Sequence, residues 1–89
     1  MIAIPSATAT NITATTQIYK KPAHILGFYV NSTTGGTIVF TDTDTGASIT
    51  LSGTITPAIG WHFFPADCAN GIAVTIANTL NVTVFWTPV

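Results

Sequence analysis

Apolar and polar residues alternate with a period of two along most of the chain, the pattern of half-buried β-strands. Residues 11–21 set Ile12, Ala14 and Ile18 against Thr13, Thr15 and Gln17. Residues 23–31 put His24, Leu26, Phe28 and Val30 on one face and Ile25, Gly27 and Tyr29 on the other. Both faces are apolar enough for a central strand, or for one covered by a partner. A third strand is predicted over 37–41. The fourth, 47–56, alternates most cleanly, with Ile49, Leu51 and Ile55 inward and Thr50, Ser52, Thr54 and Thr56 outward. Residues 58–65 concentrate aromatics, with Trp61 and Phe63 on one face and His62 and Phe64 on the other. One of those pairs is expected to meet something outside the core. Residues 71–77 and 80–87 form a closing pair, Ile72, Val74 and Ile76 against Leu80, Val82, Val84 and Trp86.

Polar breaks separate these runs. Residues 31–36 read as a turn in which Gly35 and Gly36 supply positive φ at little cost. Residues 42–46 read as a second turn, with Asp42 and Asp44 capping their own backbone and Gly46 left-handed. Lys20, Lys21 and Pro22 end the first strand and discourage edge-to-edge pairing, and Pro57 stops the fourth. Residues 66–71 are expected to form a loop or a single helical turn, and 77–80 a tight link. Residues 1–10, interrupted by Pro5, read as an extended arm whose Ile2 and Ile4 would fill a neighbouring groove. Seven or eight short strands at intervals of about ten residues have the spacing of a sandwich or barrel. No segment sustains a helical period. The expected fold is all-β: a two-layer antiparallel β-sandwich over residues 11–89, a jelly roll among its allowed topologies, preceded by the arm at 1–10.

Composition narrows the function. At 89 residues the chain is one small domain with a thin core, and such domains usually gain stability from a disulfide, a metal or a partner. Cys68 is the single cysteine, so no disulfide forms within the chain. Lys20, Lys21, Asp42, Asp44 and Asp67 are the only formally charged side chains, 6% of residues against a typical ~25%. With a net charge of −1 and a mean hydropathy of +0.53, the chain lacks the charged surface that keeps monomers apart. A partner made of protein is the inference, and a homo-oligomer the simplest one. So few cations argue against nucleic acid, which needs a cationic footprint. The charge-free stretches 1–19, 45–66 and 68–89 are broken by Gly, Pro, Asn or Thr, so no membrane span is expected. The N-terminus lacks the pattern of a signal peptide, which suggests synthesis in a cytosol.

Candidate chemistry is sparse. Asp42-x-Asp44-x-Gly46 resembles the start of a calcium loop, but position 12 is Gly53, the chain has no Glu, and a hairpin turn explains the same residues. His62, Asp67 and Cys68 fall short of a zinc set, and no redundancy supports a nucleophile, base and orienting group. No metal, cofactor or catalytic residue is expected. Nothing marks two of the three aspartates as a glycosidase pair. Trp61 and Phe64 leave carbohydrate binding open, while packing is the commoner use of aromatics in so small a chain. Three Asn-x-Thr sequons begin at Asn11, Asn31 and Asn81; without a secretory signal they are taken as coincidence.

Residues 25–46 (ILGFYVNSTTGGTIVFTDTDTG) and 70–86 (NGIAVTIANTLNVTVFW) resemble small virion proteins of tailed bacteriophages. In those, a strand ending in Tyr-Val-Asn leads through a Gly-containing turn to an aromatic-Thr/Asp hairpin, and a Gly-Ile/Leu-x-Val hairpin closes the fold. Gly often follows the hairpin Asp directly there, whereas Thr43, Asp44 and Thr45 precede Gly46 here. The resemblance implies a capsid decoration, or cement, protein: a β-sandwich homotrimer on the virion surface, assembled in the host cytoplasm and binding the major capsid protein. Met1, Ile2, Ile4, Trp61 and Phe64 are then the expected subunit or capsid contacts. Two other readings stay open, a glycan- or receptor-binding module of a phage tail or fibre and a non-catalytic accessory domain of an enzyme.

Overall fold

A computed structural model describes residues 7–44 and 48–89. Among them there is no helix, and six strands form one antiparallel sheet: β1 (Thr8–Ile12), β2 (Thr16–Tyr19), β3 (Ala23–Thr43), β4 (Ser48–Thr50), β5 (Gly60–Cys68) and β6 (Ile72–Pro88). Two of these are long. β3 and β6 run antiparallel from Ala23↔Pro88 to Thr41↔Ala73, and each serves two layers. The first half of β3 lies between β5 and the second half of β6, whose far edge pairs with β1. The second half of β3 lies between β4 and the first half of β6, whose far edge pairs with β2.

The sheet folds over on itself to make the sandwich. Phe28 and Phe40 lie twelve residues apart on the same strand, which would separate them by about 40 Å if it were straight. Their rings are instead 5.2 Å apart. Phe64 from β5 stacks on Phe40 at 4.8 Å, and Tyr19 from β2 meets Trp86 at 4.6 Å, so both pairs cross between the layers. The core between them comprises Ile25, Phe28, Val30, Ile38, Phe40, Ile72, Val74, Leu80, Val82, Val84 and Trp86, joined by Ile12, Ala23 and Cys68. Trp86 keeps its indole N–H satisfied by donating to Thr10 Oγ1 at 3.0 Å.

Several expected turns are bends. Residues 31–36 do not reverse the chain, and neither do 77–80, because β3 and β6 pass through the fold together and satisfy each other's backbone groups there. The turn-forming residues are spent on bulges. Thr34 and Gly35 both face Thr79, and Gly35 and Asn78 each take φ of 61°. Asn78 Nδ2 donates to Gly35 O at 2.9 Å, and Gly36 N to Thr33 Oγ1 at 3.0 Å. Another bulge falls between Ile25 and Gly27. It shifts the side-chain phase by one, so Ile25, Phe28 and Val30 all point inward where strict alternation would have separated Ile25 from the other two.

The expected first strand over 11–21 is two strands, β1 and β2, which serve different layers and are separated at 13–15. β1 begins at Thr8, so the sandwich takes in the last residues of the stretch read as an arm; residues 1–6 lie outside the described part. The fourth strand shortens to Ser48–Thr50 plus a bridge from Ile55 to Ile38. Leu51 and Ile55 do pack on the core, but Ile49 is exposed. Residues 66–68 continue β5 instead of starting a loop.

Candidate functional site

The outer face of the first layer carries the most distinctive surface. β5 alternates along its length, with His62 and Phe64 turned toward the core and Trp61 and Phe63 turned out, 50% and 75% exposed. His62 stacks on Phe28 at 5.0 Å and donates from Nε2 to Ala58 O at 2.7 Å. Phe64, read from sequence as a contact residue, is half-buried and packs against Phe40. Phe63 takes its place on the surface beside Trp61. Across β3 and β6 the face continues through Tyr29, 41% exposed, and Phe85. Trp61 fits because its neighbour is glycine. A Cβ at Gly27 would lie 2.8 Å from the indole and 2.5 Å from His62 O. Phe85 meets the indole edge-on, with ring centroids 5.3 Å apart.

Beside this aromatic strip lies a cluster of amides. Thr83 stands opposite both Tyr29 and Asn11 in the sheet. Asn11 Nδ2 donates to Asn81 Oδ1 at 2.7 Å and to Thr83 Oγ1 and Val82 O at 3.2 Å. Asn31 Nδ2 donates to the same Asn81 Oδ1 at 3.2 Å and to Thr83 Oγ1 at 3.1 Å. These are the three sequon asparagines, which the fold brings onto one patch. Sequence reasoning missed the cluster because strands β1, β3 and β6 meet only in the folded chain.

Charge collects at one pole. Lys20 and Lys21 precede β3, Asp42 and Asp44 end it, and the bend of β3 returns its end toward its start. Gly71 sits between the two: a Cβ there would lie 2.4 Å from Tyr19 O, 2.6 Å from Thr43 O and 3.2 Å from Lys20 Cα. Among the described residues Asp42 caps the 69–71 segment, while Gly46 of the expected turn lies outside them. Asp42 is buried and accepts backbone N–H bonds from Ala69 (3.0 Å), Asn70 (2.8 Å) and Gly71 (3.2 Å). Burial pushes its carboxyl pKa up, but these donors outweigh that and hold it below the ordinary value. Gln17 closes the same pole by donating from Nε2 to the carbonyls of Tyr19, Thr43 and Ile72 at 2.8 to 3.0 Å.

His24 and Asp67 pair at 2.5 Å on the surface, beside an open cleft of about 350 Å³ at the Leu26 bulge. The one thiol nearby, Cys68, faces the core, and burial with the carboxylates of Asp42 and Asp67 pushes its pKa up to about 11. Cys68 is therefore not a thiolate nucleophile for the cleft, which is lined by His24 and Asp67. Among the described residues no three His, Cys, Asp or Glu side chains are grouped to hold a metal. No helix among them is long and apolar enough to cross a membrane. Of the contact residues expected from sequence, Trp61 is on the surface, Phe64 is half-buried against the core, and Met1, Ile2 and Ile4 lie outside the described residues. Compared with protein-family models, curated proteins and solved structures, the chain matches none.

Proposed function

We propose that this chain is a non-catalytic structural subunit that packs against other protein through neutral surface. The assembly is the kind its residues 25–46 and 70–86 resemble, a capsid decoration protein on a phage head. The observation that carries this reading is the gathering of the formal charges toward one pole, which leaves the outer face of the second layer and the opposite end without ions and the outer face of the first layer with Asp67 alone, at its polar end. Cores of protein interfaces are depleted of charge in the same way, whereas a lone soluble domain spreads ions over its surface. The outer face of the second layer suits packing best. It presents Thr37, Val39, Thr41, Ala73, Thr75 and Ala77, small and uncharged side chains on a sheet that a neighbouring subunit can approach closely.

Copies of the chain would bind one another, as a trimer, and the major capsid protein at the virion surface. Weak contacts repeated over a lattice add through effective concentration. The test is sedimentation of the purified chain, followed by co-sedimentation with empty heads at low salt and at about 1 M, where exposed ionic contacts are screened within roughly 3 Å. A homo-oligomer that stays on heads at both salt concentrations is expected. A monomer that leaves heads bare would overturn the reading.

A further inference from the structure

We infer that the outer face of the first layer is a second, separate binding site, for a neutral carbohydrate chain. Two groups of side chains meet there. Trp61, Phe63 and Tyr29 are exposed aromatic side chains on adjacent positions of β5 and β3. Trp61 and Phe63 are two residues apart on one strand, about 7 Å, and Tyr29 is one strand spacing, about 5 Å, from Trp61. That spacing lets consecutive pyranose rings lay their C–H faces on consecutive aromatic rings.

The amide cluster supplies the polar half of the site. Asn81 Oδ1 is taken up by Asn11 and Asn31, and both of their Nδ2 groups point inward to the cluster. Asn11 Oδ1, Asn31 Oδ1 and Asn81 Nδ2 then remain as acceptor, acceptor and donor without partners among the described residues, as does the Tyr29 hydroxyl. Their orientations are already held by the internal bonds, so a ligand hydroxyl can bind without first ordering three side chains. Against an apolar protein surface the same groups would be desolvated without a bond, which disfavours a purely hydrophobic occupant.

Charge decides the ligand class. No formally charged side chain lies within the strip or the cluster, so nothing there would pair with the charge of an acidic glycan, and a neutral one fits the lining. The span from β5 to β1 covers four strands, about 14 Å, enough for a short oligosaccharide lying across the strands.

The experiment titrates the full chain with neutral gluco- and N-acetylhexosamine oligosaccharides up to about 10 mM, following Trp fluorescence and amide shifts, with sialylated oligosaccharides as the acidic arm. Saturable binding of a neutral oligosaccharide, at least tenfold weaker in Trp61→Ala and severalfold weaker in Asn81→Ala, is expected. Ile49→Ser, on the other layer, should bind as the parent does. Both site variants alter outward-facing groups, and an unchanged amide spectrum beyond the site would show them folded. Equal binding by a folded Trp61→Ala would overturn the proposal. So would preference for the acidic arm, or no binding while the chain self-associates through this face. None of these outcomes bears on attachment to heads, which the salt-resistant sedimentation reads separately.

Discussion

Replacing Asp42 tests the link between the bend of β3 and the stability of the charged pole. In Asp42→Ala three backbone N–H groups of residues 69–71 lose their acceptor, that of Gly71 in a buried setting and the other two part-buried. An unsatisfied buried donor costs about 1–3 kcal/mol, and part-buried ones recover some of that from water. The sum is about 3–4 kcal/mol, against a total stability of roughly 4–13 kcal/mol for a domain of this length. Asp42→Asn keeps one oxygen for Asn70 and Gly71 but turns an NH₂ toward the Ala69 N–H, so about half that loss is expected. Urea unfolding reads the difference. With m about 1–1.5 kcal/mol/M, the alanine variant should lose about 2–4 M of midpoint and the asparagine variant about half as much. The pH dependence adds a second check. The native carboxyl titrates below its unfolded value of 3.8, so its contribution is complete above that pH and fades as pH falls through the native pKa. The gap between wild type and Asp42→Asn should therefore narrow in acid. An alanine variant within 1 kcal/mol of wild type, or a gap that widens below pH 4, would refute this account of Asp42.

Three further outcomes follow from the packing. Gly71→Ala places a methyl against two backbone carbonyls and should lower the melting temperature by more than about 10 °C, whereas Gly53→Ala, with open space around it, should shift it by only a few degrees in calorimetry. Phe64→Ala should destabilise by about 2–4 kcal/mol through lost contact with Phe40 and Phe28, while Phe63→Ala, on the surface, should stay within about 0.5 kcal/mol in the same urea assay. Cys68, buried and with its thiol pushed up to about 11, should react with an aromatic disulfide reagent at pH 8 only as the chain opens, and at once in denaturant.

The period of two, read along the chain, determined by itself that the protein is built of strands, since side chains alternate across a strand whatever it pairs with, and the short spacing of the polar breaks pointed to an antiparallel sandwich. It also separated Trp61 and Phe63 from His62 and Phe64, and showed how few ions the surface can carry. What it left open was which face of β5 looks outward, because both are aromatic and only the core formed by β3 and β6 selects His62 and Phe64. The tertiary structure alone decided that residues 31–36 and 77–80 bend instead of turning back. Asn and Gly permit a positive φ in either use, and the choice falls to the partner strand: β3 pairs with β6, about forty residues away, so the two cross the bend side by side. The same remoteness hid the roles of Asp42 and the three asparagines, whose partners lie between 27 and 72 residues away and become neighbours only once the sheet has folded over.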